Sequence, residues 1–184
     1  MALFTVGHGT RSTAELAAVV RAFGVERVVD VRRYPRSRRQ PHLDREALAQ
    51  ALPTLGVAFE WWGDELGGRR RPAAASRHGA WRNDSFRAYA DHMDTEAFRQ
   101  AFHRLLAGLG SSPPTAIMCA ETLWWRCHRR LIADAAVLAG TEVDHILDQR
   151  QVAPHRLHPS VRADGQGRPV YDVGAQLTME QPPW

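Results

Sequence analysis

The chain has 184 residues, 44% of them hydrophobic, which is enough for one domain with a real core and too few for two. No apolar run approaches the roughly 20 residues of a membrane helix, and two cysteines are too few for a secreted disulfide scaffold. The formal charge is +4 and all 24 basic residues are arginine, so the placement of the arginines is more informative than their sum.

Residues 2–7 (ALFTVG) read as a short buried strand. The N-terminal stretch has no charged segment followed by a long apolar one, so it does not read as a signal peptide, and a cytoplasmic protein is expected. Ser12 with Glu15 three residues on is a capping-box pattern. It opens a helix with Leu16, Val19, Val20 and Phe23 on its apolar face and Gly24 as its stop. Residues 25–31 (VERVVDV) form a second strand. The loop RRYPRSRRQPH follows, its prolines forbidding a helix. Asp44 then caps a helix with Leu48, Leu52 and Leu55, and residues 57–61 form a third strand.

Residues 62–82 are irregular, rich in glycine and arginine, and a loop of that length in a small domain is functional or mobile. Two helices are predicted next. The first carries Phe86, Tyr89, Ala90 and Met93, and the second Phe98, Ala101, Phe102, Leu105 and Leu109. Residues 115–119 form a fourth strand, 125–139 a helix and 141–147 a fifth strand. Strands alternating with helices predict a three-layer α/β fold, a mostly parallel five-stranded sheet with helices on both faces. Residues 1–150 make this domain, and 151–184 are an extension packed on it, with a small hairpin near residues 168–173.

In such sheets ligands bind beyond the carboxyl ends of the strands. Three unusual segments fall there: GHGTRS after the first strand, DVRRYPRSRR after the second and CAE after the fourth. Gly7 and Gly9 permit a tight turn into a helix N-terminus whose free N–H groups favour an anion, with His8 beside them and Arg11 adding charge. Asp30 ends the second strand, either in the site or holding an arginine in place. Arg32, Arg33, Arg36, Arg38 and Arg39 follow within eight residues. Guanidinium forks match phosphate or carboxylate oxygens in pairs, and Tyr34 among them is a stacking ring.

Cys119, Glu121, Cys127 and His128 are the candidate catalytic set. Counting back one turn from the helical stripe Leu131, Ile132, Ala135 and Leu138 puts Cys127 and His128 on the inward face, pointing towards Cys119 and Glu121, while Arg126 and Arg129 lie off that stripe. A helix N-terminus lowers a thiol pKa and disfavours imidazolium, so Cys127 is a candidate thiolate and His128 a neutral acceptor. Glu121 is a candidate general acid or base. The same four side chains are possible zinc or iron ligands, but their spacing matches no standard zinc module and no metal is assigned. The candidate substrate-binding residues are Gly7, His8, Arg11, Asp30, Arg32, Arg36, Arg38 and Arg129.

Over roughly residues 4–148 the chain resembles the domain of unknown function 488 family, through TVGHGTRS, VVDVRRYPRSRR, ELGGRR, the YADHM–EAF stretch, MCAE, WRCHRRLIAD and DHIL. The resemblance implies an α/β domain with a Cys-Glu and a Cys-His-Arg signature, not a reaction. ETLWWRCHR departs from the family pattern, lacking an acidic residue and a proline before the tryptophan. A fainter similarity is to rhodanese-like sulfurtransferases, through Asp30–Arg32 and Cys119, although Glu121 sets a negative charge two residues from that cysteine. The expected function is an enzyme acting on a phosphate-bearing substrate, a nucleotide or nucleic acid, bound by arginines with Tyr34, Trp61, Trp62 or Trp124 stacked on a base. The alternatives are a thiol-dependent sulfurtransferase-like enzyme and a non-catalytic nucleic-acid-binding module.

Overall fold

The computed structural model describes residues 2–111 and 113–174. In chain order the elements are β1 (Leu3–Gly7), α1 (Thr13–Arg21), β2 (Arg27–Asp30), α2 (Arg45–Thr54), β3 (Ala58–Trp61), α3 (Gly63–Leu66), α4 (Asp84–Met93), α5 (Glu96–Gly108), β4 (Thr115–Cys119), α6 (Arg129–Leu138), β5 (Val143–Ile146), β6 (Val152–Pro154), β7 (Val161–Ala163) and β8 (Pro169–Tyr171). Short 3₁₀ turns at Pro41–Leu43 and Trp124–Arg126 interrupt the longer connections.

The main sheet has six strands in the order β3-β2-β4-β1-β5-β6, parallel except for the β5–β6 pair. The expectation of five strands is corrected by β6. That strand is three residues long, sits at the sheet edge and ends in proline, so it carries no periodic signal. β7 and β8 form a separate hairpin, longer at its start than the sequence reading of residues 168–173. Residues 175–184 of the predicted extension lie outside the described residues.

Consecutive side chains of β4 alternate between two hydrophobic clusters, as the period of two in a strand requires. Ala116 and Met118 join Val28 and the α1 and α2 residues Leu16, Val20, Leu48 and Leu52. Ile117 and Cys119 join Val29 and Tyr89, Phe98, Leu105, Leu131 and Ile132 of α4, α5 and α6. Truncating a fully buried residue of this kind, such as Ile117, costs about 2–5 kcal/mol.

The helix ends follow local chemistry. At α1 the capping box is complete: the Glu15 N–H donates to Ser12 Oγ at 3.2 Å, and the Ser12 N–H donates to Glu15 Oε2 at 2.7 Å. Asp44 precedes α2, but its carboxylate caps nothing there. It accepts instead from the Ser37 N–H at 2.7 Å and so ties down the arginine-rich loop. The predicted helix over 125–139 is split into the 3₁₀ turn, an extended Cys127 and α6. No helix among the described residues is long and apolar enough to cross a membrane.

Candidate active site

The register fixes where the site lies. Gly7 pairs with Cys119, and Asp30 with Met118, so the ends of β1, β4 and β2 stand side by side. The pairing continues beyond the strands: the His8 N–H donates to the Cys119 carbonyl at 2.9 Å, and the Gly9 N–H to the Ala120 carbonyl at 3.0 Å. Gly7 is required by this approach, since a β-carbon there would stand 2.1 Å from the Glu121 carbonyl oxygen. These N–H groups are therefore taken by protein carbonyls, in contrast to the open anion site expected from the glycines.

Cys119, Cys127 and His128 meet at the end of β4. Their sulfur and nitrogen atoms all lie within 4.8 Å of one another. His128 Nδ1 is 3.6 Å from Cys127 Sγ and 4.0 Å from Cys119 Sγ. His128 Nε2 lies 3.0 Å from the Val31 carbonyl oxygen. A carbonyl only accepts, so Nε2 carries the proton and Nδ1 turns its lone pair to the sulfurs. The ring is also held between Tyr89, at 4.9 Å between centroids, and the backbone at Gly68.

The two thiols are driven apart. The hydrogen bond from Cys127 is the largest cause holding the Cys119 thiol well below its ordinary pKa; burial opposes it, and His128 and Arg129 assist. Burial pushes Cys127 well above its ordinary value, and the neighbouring Cys119 adds to this. The sequence favoured Cys127 as the acidic thiol, from its place before a helix. It stands in extended backbone ahead of His128, the N-cap residue of α6, and burial there outweighs the helix end.

A second network braces the floor. Asp30 is fully buried and binds Arg32 through both carboxylate oxygens, with Nη2 at 2.7 Å from Oδ2. Burial raises the Asp30 pKa, opposed by Arg32. Arg32 Nη1 donates to His8 Nε2 at 2.9 Å, so the His8 proton sits on Nδ1, facing the Gly9 carbonyl oxygen at 3.0 Å. Burial first, and then Arg32, lowers the His8 pKa to about 4. Arg129 was expected to lie off the inward face of its helix. It is instead 1% exposed, and its guanidinium donates to the carbonyls of Val6, Glu121 and Thr122 at 2.7–3.0 Å. Arg11 likewise donates to the Gly7 and Leu147 carbonyls.

A pocket of about 700 Å³ opens over these groups. Of the sequence candidates, Cys119, Glu121, Cys127, His128 and Arg32 line it. Gly7, His8, Arg11, Asp30 and Arg129 lie outside the lining and hold its walls together, and Arg36 and Arg38 are exposed on the loop. The Glu121 carboxylate faces solvent, with Oε1 accepting from the Leu123 N–H at 3.3 Å, and does not join the two sulfurs and the imidazole.

Much of the remaining lining, including Arg69, Asn83, Ser85, Phe86 and Arg126, comes from residues the sequence did not single out as site residues. Arg33 and Arg69 converge from two loops, with Arg33 Nη1 donating to the Arg69 carbonyl at 3.0 Å, and Arg126 joins from the 3₁₀ turn. Asn83, Ser85, Phe86 and Tyr89 come from the start and first turns of α4. Arg69 adopts a positive φ of 56°, which turns the chain at the rim. Of the aromatic residues expected to stack on a base, Tyr34 lines the pocket and is 60% exposed. Trp124 is buried, stacked on His145 at 4.0 Å, while Trp61 and Trp62 carry Arg45 and Arg104 on their faces.

The model of one family, described as Domain of unknown function DUF488, matches residues 12–136. The chain belongs to that family. The matched span of the DUF488 domain is narrower than the motifs suggested. It holds all four candidate catalytic residues and the arginine-rich loop but neither Gly7 nor the β5 segment. No curated protein and no solved structure matches the chain.

Proposed function

We propose that the chain is an enzyme acting on a phosphate-bearing substrate, a nucleotide or a nucleic-acid strand, in the pocket beyond β4. The observation that carries this reading is the joint lining: Arg33, Arg69 and Arg126 share one cavity with Cys119, Glu121, Cys127 and His128. Guanidinium groups supply paired donors to phosphate oxygens, each charge-assisted contact contributing roughly 1.5–3 kcal/mol. Tyr34 and Phe86 supply faces on which a base stacks. Glu121 is the general acid or base of this reading, because it is the carboxylate of the lining.

The proposal takes the domain as three layers, with helices on both faces of the sheet, which the division of β4 between two clusters supports. It takes the protein as cytoplasmic, since two adjoining cysteines that are not disulfide-bonded fit a reducing compartment.

Titration with a nucleoside monophosphate and with a short single-stranded oligonucleotide tests the reading. The Arg69→Ala/Arg126→Ala double variant is expected to bind at least about 10-fold more weakly. Unchanged affinity removes these arginines from substrate binding. Intact turnover in Glu121→Ala and His128→Ala would remove those two residues from the mechanism, and binding by the wild-type chain without any turnover would return it to the class of non-catalytic binding modules.

A second reading, thiol chemistry as in a sulfurtransferase, is favoured by the meeting of two sulfurs at one imidazole nitrogen. Rapid alkylation of Cys119 at neutral pH supports it, and inert thiols exclude it.

A further inference from the structure

We propose that Cys119, Cys127 and His128 form a binding site for a zinc-class divalent ion, with the remaining coordination position turned to the pocket. The binding stands on the three side chains themselves; what the ion does for a substrate rests on the reading of the pocket given above.

The distances carry the first part. In a tetrahedral site with zinc–sulfur bonds of about 2.3 Å and zinc–nitrogen bonds of about 2.05 Å, sulfur and nitrogen stand roughly 3.6 Å apart. The observed separations from His128 Nδ1, 3.6 Å to Cys127 and 4.0 Å to Cys119, match that edge with little movement. The imidazole is also preset as a ligand. Its Nε2–H is committed to the Val31 carbonyl, the outer-shell contact by which a metal-bound histidine has its tautomer and ring plane fixed. Gly68 packs its backbone on the ring, with room for nothing larger: a β-carbon there would lie 2.9 Å from Nδ1.

The donor types carry the second part. Two thiolates and one neutral nitrogen suit zinc or cobalt and not magnesium or calcium, which take oxygen ligands. Among the described residues no fourth histidine, cysteine or carboxylate joins the group, whereas a closed structural zinc site uses four. All three donors line the pocket, so the open position belongs to water or to a substrate oxygen.

The spacing of these residues matches no standard zinc module, so the site stands on the three-dimensional arrangement of the donors. Seven residues separate the two cysteines, and the extended conformation of Cys127 is what brings both sulfurs to one nitrogen.

The test uses the full chain, stripped with a chelator under reducing conditions and titrated with cobalt(II) in the absence of any substrate. Thiolate-to-cobalt charge-transfer absorption that saturates at one ion per chain is expected. Cys127→Ser and His128→Ala, each checked for fold by circular dichroism, are expected to weaken binding at least about 10-fold. Zinc is expected to slow alkylation of Cys119 and Cys127 in the wild-type protein by a similar factor, a measurement that needs no variant. Absence of the absorption with excess cobalt overturns the site, as does an alkylation rate indifferent to zinc. Either result leaves the phosphate-binding arginines untouched, because those are tested by nucleotide titration of the Arg69→Ala/Arg126→Ala variant.

Discussion

His128 Nε2 donates to the Val31 carbonyl at 3.0 Å, joining the residue before α6 to the residue just past β2. This one bond sets which ring nitrogen faces Cys119 and Cys127, and so couples the chemistry of the pocket to the packing of Gly68 on the same ring.

Gly68→Ala tests that coupling. The added carbon meets Nδ1 and Cγ of His128 at 2.9 and 3.2 Å, so the ring or the loop must shift. A loss of about 1–3 kcal/mol is expected, read as a lower urea midpoint, with a fall in pocket activity. Gly79→Ala is the control. Its added carbon meets nothing within 4 Å, and a change within about 0.5 kcal/mol is expected.

Arg32 and Arg36 are four residues apart and serve different ends. Arg32→Met leaves Asp30 buried and unpaired, with an expected cost of about 3–5 kcal/mol. Arg36 is exposed, and Arg36→Met is expected to change stability by less than about 0.5 kcal/mol. Equal urea midpoints for the two variants would show that the Asp30 pair is not structural.

A buried chain of hydrogen bonds ties the extension to the sheet. Thr5 Oγ1 meets His145 Nδ1 at 2.7 Å, His145 Nε2 meets His155 Nδ1 at 2.9 Å, and His155 Nε2 meets Asp134 at 3.0 Å. Tyr171 donates to the other Asp134 oxygen at 2.9 Å. Burial, then His155, lowers the His145 pKa to about 2; burial, then Arg130, lowers that of His158 to about 4. The unfolded chain therefore binds protons that the folded one refuses as pH falls below about 6.5. Stability is full above that pH and is lost on acidification towards 4, by up to about 1.4 kcal/mol per pH unit for each such histidine. Urea midpoints measured from pH 7.5 to 4.5 check the sign. A midpoint that rises on acidification contradicts it.

The sequence was informative where a signal is local. The capping box of Ser12 and Glu15, the buried strand TAIMC and the helical stripes that place Tyr89 and Leu131 are all visible in short windows. The convergence of Cys119, Cys127 and His128 was also within reach, because strand end and helix stripe fix two directions. Arg129 lies one turn before Ile132 and Ala133, both buried, so the buried face of α6 is wider than the stripe of Leu131, Ile132, Ala135 and Leu138 shows. Arg36 and Arg38 are exposed outside the pocket lining, which the sequence did not show, because charge density in a loop does not say which guanidinium turns inward. Arg69 and Asn83 could not be read as site residues, since they reach the pocket from chain segments without periodicity, closed over it by long-range packing such as the Tyr89 hydroxyl on the Leu66 carbonyl.

A crystal structure of the protein soaked with a nucleoside monophosphate tests the central claim most directly. The phosphate is predicted to lie against Arg69 or Arg126, with the base over Tyr34 or Phe86 and the sugar end of the ligand towards Cys119 and His128. A phosphate held by Arg36 and Arg38 on the outer loop, with the pocket left to solvent, would contradict it.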